Sequence, residues 1–427
     1  MVIKESVAGE KSVNYSEIDV LYDTGQTVSQ VGKLATSGVK TVFEYDDLWV
    51  KRCIELSPFE LPTEKRSFQL DPRRMVASTF GLFADSLPDG WGLLIMDRWF
   101  KKRGIEKKDV TPIDRLAFLG SYAMGALCYR PPVQDESSYS IEAVSIGEMA
   151  REAYELYEGR IEEAGRLLTQ IGGSPGGARP KALIGISNDF KMFVSATNCL
   201  PEGFSQWFVK FSGIDNRYDG VLEFIYIQMA KNAGISVPDH MLITDDCGVQ
   251  HIATRRFDRL PGNRRRHIAT AGGLLHADHT APTLDYEVLM KVAWRLTNSA
   301  AQAEEQFRRA AFNMFAINRD DHSKNHGYVM SEDGKWELSP AYDLTFSTGP
   351  NGEHWTSYSG EGRTPKIANL LKVAHVASIG EKAALSITDQ VKTSVATFKQ
   401  MAREKDIPVK TSSPTVRQLE AMLVLAN

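Results

Sequence analysis

A polar segment, Asn318-Arg-Asp-Asp-His-Ser-Lys-Asn325, contains the residue types that phosphoryl transfer requires. That reaction uses a carboxylate to orient the attacking hydroxyl and oxygen ligands to hold Mg²⁺ against the phosphates. Asp320 and Asn325 are separated by four residues, which is the spacing of the catalytic base and a metal ligand in the catalytic loop of protein kinases. Asp343 follows a predicted hairpin and is therefore the candidate for the second metal ligand.

Two other interpretations of this segment remain open. Asp320 could cap a turn after the preceding helix, with His322, Lys324 and His326 on a solvated face. His322 and His326 are also four residues apart, a spacing that on a helix would direct both rings at a zinc ion. No HExxH glutamate lies between them, and the adjoining sequence is typical of a loop. We therefore rank zinc below Mg²⁺.

Lys210 lies within an apolar run, Trp207-Phe-Val-Lys-Phe211, that predicts a strand. A buried charge is costly unless it is paired, and kinases use such a lysine to bind nucleotide phosphates, paired with a glutamate of the next helix. Glu223 lies on the helix predicted from about Val221 to Ala233 and is the natural partner. The alternative is that Lys210 extends from an edge strand into solvent.

A glycine-rich stretch, Gly172-Gly-Ser-Pro-Gly-Gly177, continues into Ala178-Arg-Pro-Lys181 and a predicted strand. Such a loop could present backbone N–H groups to phosphate oxygens. It lacks the GKS or GKT ending of a Walker loop and is not a strict GxGxxG, and many glycine-rich loops are only flexible connections. Ser174 places a hydroxyl in this loop, where phosphorylation would add charge and change the position of the loop.

A second cluster of charged residues is basic: Arg255-Arg256, Arg259 and Arg264-Arg-Arg-His267. It could bind nucleic acid, an acidic substrate or an acidic partner. A solvated loop is the more frequent explanation of such a run. No aromatic residues are interleaved in a way that indicates stacking on bases.

The composition is that of a globular enzyme. The chain has 427 residues, 42% of them hydrophobic and 24% charged, and its net charge of −4 argues against nonspecific coating of nucleic acid. The four cysteines are far apart and form no CxxC pair, which fits a reducing cytosol. Neither a signal peptide nor a run of about 18 apolar residues is present, so we expect a cytoplasmic protein without a membrane span.

The order of predicted elements indicates an α+β protein with a β-rich module followed by a two-lobed unit. Short alternating segments separated by Gly and Asp turns occupy the first module, and the glycine-rich loop, strands and helix that follow have the order of a kinase small lobe. From about Asp285 onward, helices are predicted at Tyr286 to Leu296, Ala303 to Asn318, Lys382 to Ala402 and Thr415 to Ala426. We place the domains at 1–132, 146–262 and 263–427.

Taken together, these features resemble the HipA family of bacterial serine/threonine kinases, the toxins of type II toxin–antitoxin modules. The resemblance covers nearly the whole chain. The most specific segments are Gly177-Ala-Arg-Pro-Lys181, Trp207-Phe-Val-Lys210, Arg256-Phe-Asp-Arg259, Asp320-Asp-His-Ser-Lys-Asn325 and Ala341-Tyr-Asp-Leu344. Leu87-Pro-Asp-Gly-Trp-Gly92 and Met124-Gly-Ala-Leu127 are similar to the amino-terminal domain of that family, which implies a HipA-like N-terminal domain over 1–132.

The resemblance implies an ATP- and Mg²⁺-dependent kinase with a kinase-like small lobe and a mainly helical large lobe. Asp320 would be the catalytic base, and Asn325 and Asp343 would hold the metal. Ser174 falls where family members carry an autophosphorylated serine whose modification ejects the phosphate-binding loop and switches the kinase off. The implied nucleotide-binding residues are Gly176, Gly177, Ala178, Lys181, Lys210, Glu223, Asn325 and Asp343.

The resemblance also implies partners. The usual partner in the family is a small helix-turn-helix antitoxin, HipB-like, that binds operator DNA, so contact with DNA would be indirect. Known substrates of the family include aminoacyl-tRNA synthetases. The leading hypothesis is therefore a protein serine kinase that inhibits growth. Two others are a small-molecule phosphotransferase and a catalytically silent protein that holds an antitoxin on DNA.

Three departures from the family pattern affect these expectations. Pro175 and Gly176 follow Ser174, where relatives carry bulkier residues. Asp321 adds a carboxylate beside the proposed base, which is expected to raise one of the two pKa values or to attract another cation. Tyr342-Asp-Leu344 replaces the eukaryotic Asp-Phe-Gly, so a eukaryote-like activation loop is not expected.

Overall fold

The computed structural model describes residues 15–37, 40–71, 79–133, 141–162, 177, 179–195 and 198–425. Ser174, Gly176 and Ala178 of the glycine-rich stretch lie outside these residues. Both helices and strands occur in the N-terminal and C-terminal parts of the described chain, which confirms the predicted α+β class.

The N-terminal part is built on a five-stranded antiparallel sheet in the order β4-β3-β2-β1-β5. In β3, Thr41, Phe43 and Tyr45 are buried and alternate with more exposed residues, because successive side chains of a strand point to opposite faces. The strands are β1 Glu17–Asp23, β2 Val28–Ser37, β3 Lys40–Tyr45, β4 Ser67–Gln69 and β5 Leu127–Arg130.

Helices α1 Asp47–Val50, α2 Gly81–Ala84, α3 Gly90–Lys102 and α4 Pro112–Leu119 accompany this sheet. Thr111 and Asp114 form a capping box at the start of α4, and proline occupies the first helical position, where no N–H is needed. The N-terminal half of α3 contributes Trp91 and Ile95 to a core shared with the next domain. Helix α3 therefore joins two parts of the molecule.

The next unit consists of a helix, a second five-stranded sheet and a long helix. The sheet has the order β7-β6-β8-β10-β9 and is antiparallel. Strand β6 is buried along its whole length because α3 and α5 share a core with it, so its residues do not alternate. The elements are α5 Ile146–Tyr157, β6 Lys181–Ser187, β7 Phe193–Ser195, β8 Phe204–Lys210, α6 Asp219–Asn232, β9 His240–Thr244 and β10 Gln250–Arg255.

The C-terminal unit is mainly helical. Its strands are β11 Arg259–Leu260, β12 Arg264–Arg265, β13 His267–Thr270, β14 Leu284–Asp285, β15 Gly327–Met330, β16 Trp336–Leu338 and β17 Thr356–Ser357. Its helices are α7 Ala271–Leu275, α8 Tyr286–Thr297, α9 Ala300–Phe315, α10 Ile367–Val376, α11 Glu381–Val395, α12 Phe398–Glu404 and α13 Val409–Leu425. Among the described residues, no helix has the length and apolar character needed to cross a membrane.

Three predicted helix boundaries were wrong. The sequence predicts a helical region from Ile146 to about Gln170, but the helix ends at Tyr157, and Gly159 follows in the left-handed conformation at φ 75°. Residues 163–170 of that prediction lie outside the described residues. The predicted helix from Lys382 to Ala402 is two helices, because the chain turns between α11 and α12. Helix α13 begins at Val409 and carries Pro414 in its second turn, where the proline removes one intrahelical N–H bond.

The N-terminal part packs against both the middle unit and the C-terminal unit. Phe43 and Phe83 share one core with Tyr328 and Trp336 of the C-terminal unit. The indole N–H of Trp336 donates to the carbonyl of Glu55 at 3.1 Å. Because α3 shares a core with β6 and β8, the N-terminal part contacts the sheet of the middle unit as well. The three units therefore meet along one continuous junction.

The predicted solvated or nucleic-acid-binding basic stretch is instead largely buried at this junction. We use the name arginine cluster for Arg256, Asp258, Arg259 and Arg265, all of which are buried. Arg256 forms two bonds to the carboxylate of Asp258, at 2.9 and 2.6 Å, and Arg259 forms a third at 2.7 Å. Buried guanidinium groups need such partners, and for Arg256, Arg259 and Arg265 the solvated-loop interpretation is therefore wrong.

Gly125 is the N-terminal residue that the arginine cluster contacts most closely. Its N–H donates to Asp258 at 2.9 Å, and its carbonyl accepts from Arg259 at 2.8 Å and from Arg265 at 3.2 Å. It adopts a positive φ of 72°, and a Cβ there would lie 2.8 Å from the backbone nitrogen of Ile268. Only glycine fits this close approach of two backbones.

Candidate active site

A cavity lies where the three units meet, and several of the predicted site residues line it. The sheet of the middle unit contributes side chains at the ends of its strands, α6 contributes one face, and the C-terminal unit contributes two loops. The predicted residues among the lining are Lys181, Lys210, Glu223, Asn325 and Asp343. Residues of the N-terminal part also line this cavity, namely Asp85, Ser86, Leu87, Met124 and Leu127.

Lys210 is at the centre of the charged side chains in this cavity. Its Nζ donates to Glu223 Oε1 at 2.6 Å and forms a second ion pair with Asp343. Burial alone would lower the pKa of Lys210, but the charges of Asp343 and Glu223 outweigh burial and raise it. Lys210 therefore remains a cation, and it does not extend into solvent as the alternative interpretation required.

Lys181 lies directly opposite Lys210, because β6 and β8 pair with these two residues in register. The pKa of Lys181 is lowered to about 8; burial is the main cause, Asp343 opposes it, and the neighbouring Lys210 adds to it. We call Lys181, Lys210, Glu223 and Asp343 the lysine cluster. It brings two lysines together beside one cavity, which is an arrangement suited to binding phosphate oxygens.

Asp343 adopts the left-handed backbone conformation, with φ 53°. This conformation is uncommon for residues other than glycine, although aspartate tolerates it better than most. The preceding Tyr342 anchors the segment, because its hydroxyl donates to the carbonyl of Lys324 at 2.6 Å and its ring stacks on Phe257. Burial alone would raise the pKa of Asp343, but Lys210 and Lys181 hold it down at about 2, so the carboxylate is ionised.

The Asp320 segment begins where α9 ends. Ile317 has a φ of 50°, which is a strained conformation for a β-branched residue, and it turns the chain out of the helix. Asn325 then closes the segment, because its side-chain N–H donates to the carbonyl of Asp320 at 2.7 Å. Burial raises the pKa of Asp320, His322 opposes the shift and Asp343 adds to it. A raised pKa makes this carboxylate a stronger base.

Asp321 serves a structural role and does not share a site with Asp320. Its carboxylate bonds to His354 at 2.9 Å, to the hydroxyl of Tyr286 at 2.8 Å and to the N–H of Thr356 at 3.2 Å. Burial alone would raise the pKa of Asp321, but its bond to the His354 ring outweighs burial and lowers it. The expected rise in pKa therefore falls on Asp320, where burial is the main cause.

The zinc interpretation has no support within the described residues. His322 and His326 flank a short 3-10 turn, Ser323–Asn325, and not an α-helix. The His326 ring is buried and donates to the carbonyl of Asp321 at 3.1 Å. In the part of the chain that the structure describes, neither histidine belongs to a group of three side chains close enough to hold a metal.

Gly177 is the described residue of the predicted phosphate-binding loop. It has a φ of 103°, and a Cβ at this position would lie 3.0 Å from Lys181 Nζ. Its N–H donates to the carboxylate of Asp89 at 2.5 Å, and its carbonyl accepts from the N–H of Trp91 at 3.1 Å. Asp89 and Trp91 of the N-terminal part thus hold the end of the glycine-rich stretch next to Lys181 of the lysine cluster.

Sequence reasoning identified the lysine cluster but missed other residues around the cavity. Asp89 was noted only as part of Leu87-Pro-Asp-Gly-Trp-Gly92, and Phe257 only as part of Arg256-Phe-Asp-Arg259. A charged residue between proline and glycine was the one available signal for Asp89. Its partners are 88 or more residues away along the chain, so spacing could not reveal them.

Family models match most of this chain. The model of the HipA-like C-terminal domain matches residues 173–398, and the model of the HipA N-terminal domain matches residues 19–130. Among curated proteins, Y4dM of Sinorhizobium fredii (strain NBRC 101917 / NGR234), named as a candidate kinase, is 30% identical over 239 residues. The match covers 49% of this chain and 57% of Y4dM, so the chain spans little more than half the length of that relative.

A solved structure has the same fold. A Shewanella oneidensis MR-1 HipA structure, described as a toxin–antitoxin complex of HipA, HipB and operator DNA, matches with a TM-score of 0.69 and 17% identity. The match covers 95% of this chain and 96% of that one, and it confirms the predicted kinase-like α+β fold. The Helicobacter pylori proinflammatory kinase CtkA matches with a TM-score of only 0.29 and 12% identity. The match covers 46% of this chain and 87% of CtkA, and it is too weak to indicate a shared fold.

Proposed function

The chain belongs to the HipA family, and on that basis we propose that it is an ATP- and Mg²⁺-dependent serine/threonine-protein kinase that inhibits growth. The single observation that carries this proposal is the lysine cluster, in which Lys210 pairs with both Glu223 and Asp343 beside one cavity. A kinase active site needs this lysine–glutamate pair together with a metal-binding aspartate. The name of Y4dM as a candidate kinase supports the same activity.

The described side chains can be assigned distinct roles. Asp320 would orient the attacking hydroxyl and accept its proton, and burial raises its pKa in the direction that favours this role. Lys210 and Lys181 would bind the nucleotide phosphates, with Gly177 above them. Glu223 holds Lys210 in place at 2.6 Å. Gly176 and Ala178 remain predictions, because they lie outside the described residues.

The residues at the predicted metal position fit Mg²⁺. Asp343 offers an ionised carboxylate, and Asn325 offers the oxygen of an amide whose nitrogen is bonded to Asp320. Both residues line the cavity beside the two lysines. Oxygen donors of this kind suit Mg²⁺ better than a soft metal. When bound, Mg²⁺ would neutralise charge on the transferred phosphoryl group.

We extend the proposal to regulation and partners. Autophosphorylation of Ser174 would act as an off-switch by adding negative charge to the glycine-rich stretch. A small helix-turn-helix, HipB-like antitoxin would bind the protein and link it indirectly to DNA, in keeping with the described composition of the Shewanella oneidensis complex. The proposed substrate is a protein, with an aminoacyl-tRNA synthetase as the first to test.

The test is intact mass spectrometry with peptide mapping after incubation with ATP and Mg²⁺. We expect phosphate on Ser174 in the wild type, and Asp320→Asn should slow its appearance by about 10²- to 10⁴-fold, the usual contribution of a general base. Asp333→Asn is the matched control, because Asp333 is an exposed carboxylate in the turn between β15 and β16. It should react at the wild-type rate.

The opposite results would contradict the proposal in separable ways. Equal phosphorylation of the wild type and Asp320→Asn would exclude Asp320 as the base. Transfer to a soluble alcohol or sugar, but to no protein, would replace the protein kinase with a small-molecule phosphotransferase. Absence of transfer to any acceptor, with ATP binding also absent, would leave the catalytically silent antitoxin-binding protein as the function.

A further inference from the structure

Asp89 of the N-terminal part contacts three distant segments of the chain, one of which lines the cavity through Lys324. Its Oδ1 accepts from the N–H of Gly177 at 2.5 Å. Its Oδ2 lies 3.6 Å from Lys324 Nζ and 3.5 Å from His279 Nε2. Gly177 ends the glycine-rich stretch, and Lys324 lies between Asp320 and Asn325. One carboxylate therefore connects both halves of the proposed active site to a third domain.

Nothing in its own helix requires this carboxylate. Asp89 occupies the N-cap of α3, where aspartate normally accepts a bond from the first helical turn, yet its side chain forms no capping bond. Both oxygens are directed at distant segments instead. Burial alone would raise the pKa of Asp89, but Lys324 and the N–H of Gly177 outweigh it and lower the pKa, so the group is an anion when it makes these contacts.

The two partners occupy positions where small displacements matter. Gly177 lies close enough to Lys181 that an added Cβ would be 3.0 Å from its Nζ. Lys324 is fixed at a second point, because its carbonyl accepts from the Tyr342 hydroxyl at 2.6 Å, one residue before Asp343. A shift of Gly177 or Lys324 would therefore move groups on both sides of the phosphate and metal positions.

We propose that Asp89 is a positioning residue, which holds the end of the glycine-rich stretch against the Lys324 segment and so lets the N-terminal domain control the geometry of phosphoryl transfer. This inference rests on the proposed kinase function, but the contacts themselves can be tested without it. Asp89 acts through Gly177 and Lys324 and has no direct part in the chemistry. It gives the N-terminal domain a defined role inside the active site.

The variant Asp89→Asn removes the charge and keeps the shape of the side chain. Asparagine is as well suited to the N-cap as aspartate, so the start of α3 should not change. Asp97→Asn is the matched control. Asp97 lies on the same helix, its side chain is 17% exposed against 20% for Asp89, and it pairs with Arg115 and Lys107 within the N-terminal part. Each variant loses one partly buried carboxylate, but only the carboxylate of Asp89 contacts residues of the proposed active site.

Hydrogen–deuterium exchange is the first measurement, because it does not depend on activity. Asp89→Asn should speed exchange in the peptide that contains Gly177 and in the peptide from Asp320 to His326, and Asp97→Asn should change neither. In steady-state kinetics, Asp89→Asn should raise the KM for ATP and lower kcat/KM by roughly tenfold, as expected for the loss of a charged hydrogen bond. A purely structural defect would lower the active fraction and leave the KM unchanged.

A double-mutant cycle with Lys324→Met tests the pairing directly. If Asp89 acts through Lys324, the double variant should lose little more activity than the more impaired single variant. Fully multiplicative losses, or exchange in Asp89→Asn equal to the wild type, would overturn the inference. Faster turnover in Asp89→Asn would also overturn it, because Asp89 would then compete with nucleotide for the Gly177 amide. If the wild type transfers no phosphate but Asp89→Asn still speeds exchange, positioning stands and the kinase proposal fails.

Discussion

The lysine cluster and the arginine cluster are both buried groups of opposite charges, but they differ in how their charges are satisfied. In the arginine cluster, Asp258 accepts bonds from Arg256, Arg259 and the N–H of Gly125, and its side chain is 1% exposed. In the lysine cluster, Asp343 is 28% exposed and bonds to one lysine, while a second lysine lies nearby. Residues of both clusters line the cavity, but the carboxylate of Asp258 is enclosed by its partners, whereas that of Asp343 is partly open.

This difference separates a structural ion cluster from one that can bind a ligand. Where backbone carbonyls take up the remaining donors, as Gly125 and Ala123 do for Arg259, an incoming anion finds no donor to bind. Where burial depresses the pKa of a lysine such as Lys181, the cation gains from an added negative charge. The feature that suits the lysine cluster to phosphate is therefore a pair of neighbouring lysines beside a cavity, with a partly exposed carboxylate between cavity and lysine.

Among changes within the two clusters, the largest expected effect comes from removing the charge of Asp343. Asparagine has the same shape and also tolerates the left-handed conformation observed there, so Asp343→Asn changes the charge and little else. We expect phosphoryl transfer to fall by about 10²- to 10³-fold, the cost of losing one preorganised electrostatic contact in an active site. Steady-state transfer rates over a series of Mg²⁺ concentrations measure the effect.

Folding of Asp343→Asn should be nearly unchanged, because Lys210 keeps its bond to Glu223. Urea denaturation of the same preparation provides this control. A variant that loses stability together with activity would remove the proposed distinction, since the lysine cluster would then be structural as well.

The second effect is on stability and concerns the arginine cluster. Asp258→Asn leaves the buried guanidinium groups of Arg256 and Arg259 without a counter-charge. Breaking a buried pair in this way typically costs about 3–5 kcal/mol, and we expect the free energy of unfolding to fall by that amount. Urea denaturation followed by circular dichroism measures it. A loss below about 1 kcal/mol, the range of surface pairs, would show that this cluster is not the joint between domains.

The contrast between the two clusters also explains what the sequence could predict. Three members of the lysine cluster were predictable from local patterns with a chemical meaning: Lys210 in an apolar strand, Glu223 on the next helix and Asp343 after a hairpin. The role of Lys181 was implied only by the family resemblance. The strands and the long helix of the middle unit follow from hydrophobic periodicity in the same way. Local patterns were therefore sufficient for these three residues and for the sheet that positions Lys210.

The arginine cluster was not predictable, because its partners come from a different domain. Nothing near Arg259 or Arg265 in the sequence indicates that the carbonyls of Ala123 and Gly125 accept their bonds, more than 130 residues away. Asp89 has the same character, since its role depends on Gly177 and Lys324. The start of the last helix was wrong for a local reason: the helix predicted from Thr415 begins at Val409, because Pro414 lies inside the helix and does not precede it.

A third prediction concerns pH and Lys181. Because burial lowers its pKa to about 8, the group is a cation below that value and becomes neutral above it. Nucleotide affinity should therefore be highest below about pH 8 and weaken by up to tenfold for each further pH unit, until the pKa of the bound state is reached. Isothermal titration calorimetry with ATP across this range measures the dissociation constant.

Lys181→Met supplies the control, since methionine has a similar unbranched shape and no charge. Its affinity for ATP should be weaker and should not vary with pH across the same window. An unchanged pH dependence in Lys181→Met would assign the titration to another group. Stability should change with pH in the opposite direction from affinity. Because the pKa of Lys181 is lower in the folded state, the unfolded chain binds more protons between about pH 8 and the ordinary lysine pKa of 10.5, and the free energy of unfolding should rise over this range.

The smallest expected effect comes from Arg264, which is adjacent in sequence to Arg265 of the arginine cluster. Its guanidinium lies 3.6 Å from Glu332, and the two side chains are 40% and 51% exposed, so solvent screens the pair. Arg264→Gln should change the free energy of unfolding by less than about 0.5 kcal/mol, whereas Arg265→Gln should cost several times more, because it removes the buried cation that pairs with Asp23 and donates to two backbone carbonyls. Urea denaturation of both variants compares adjacent arginines that differ mainly in burial, and equal losses would mean that closure of the cluster contributes nothing.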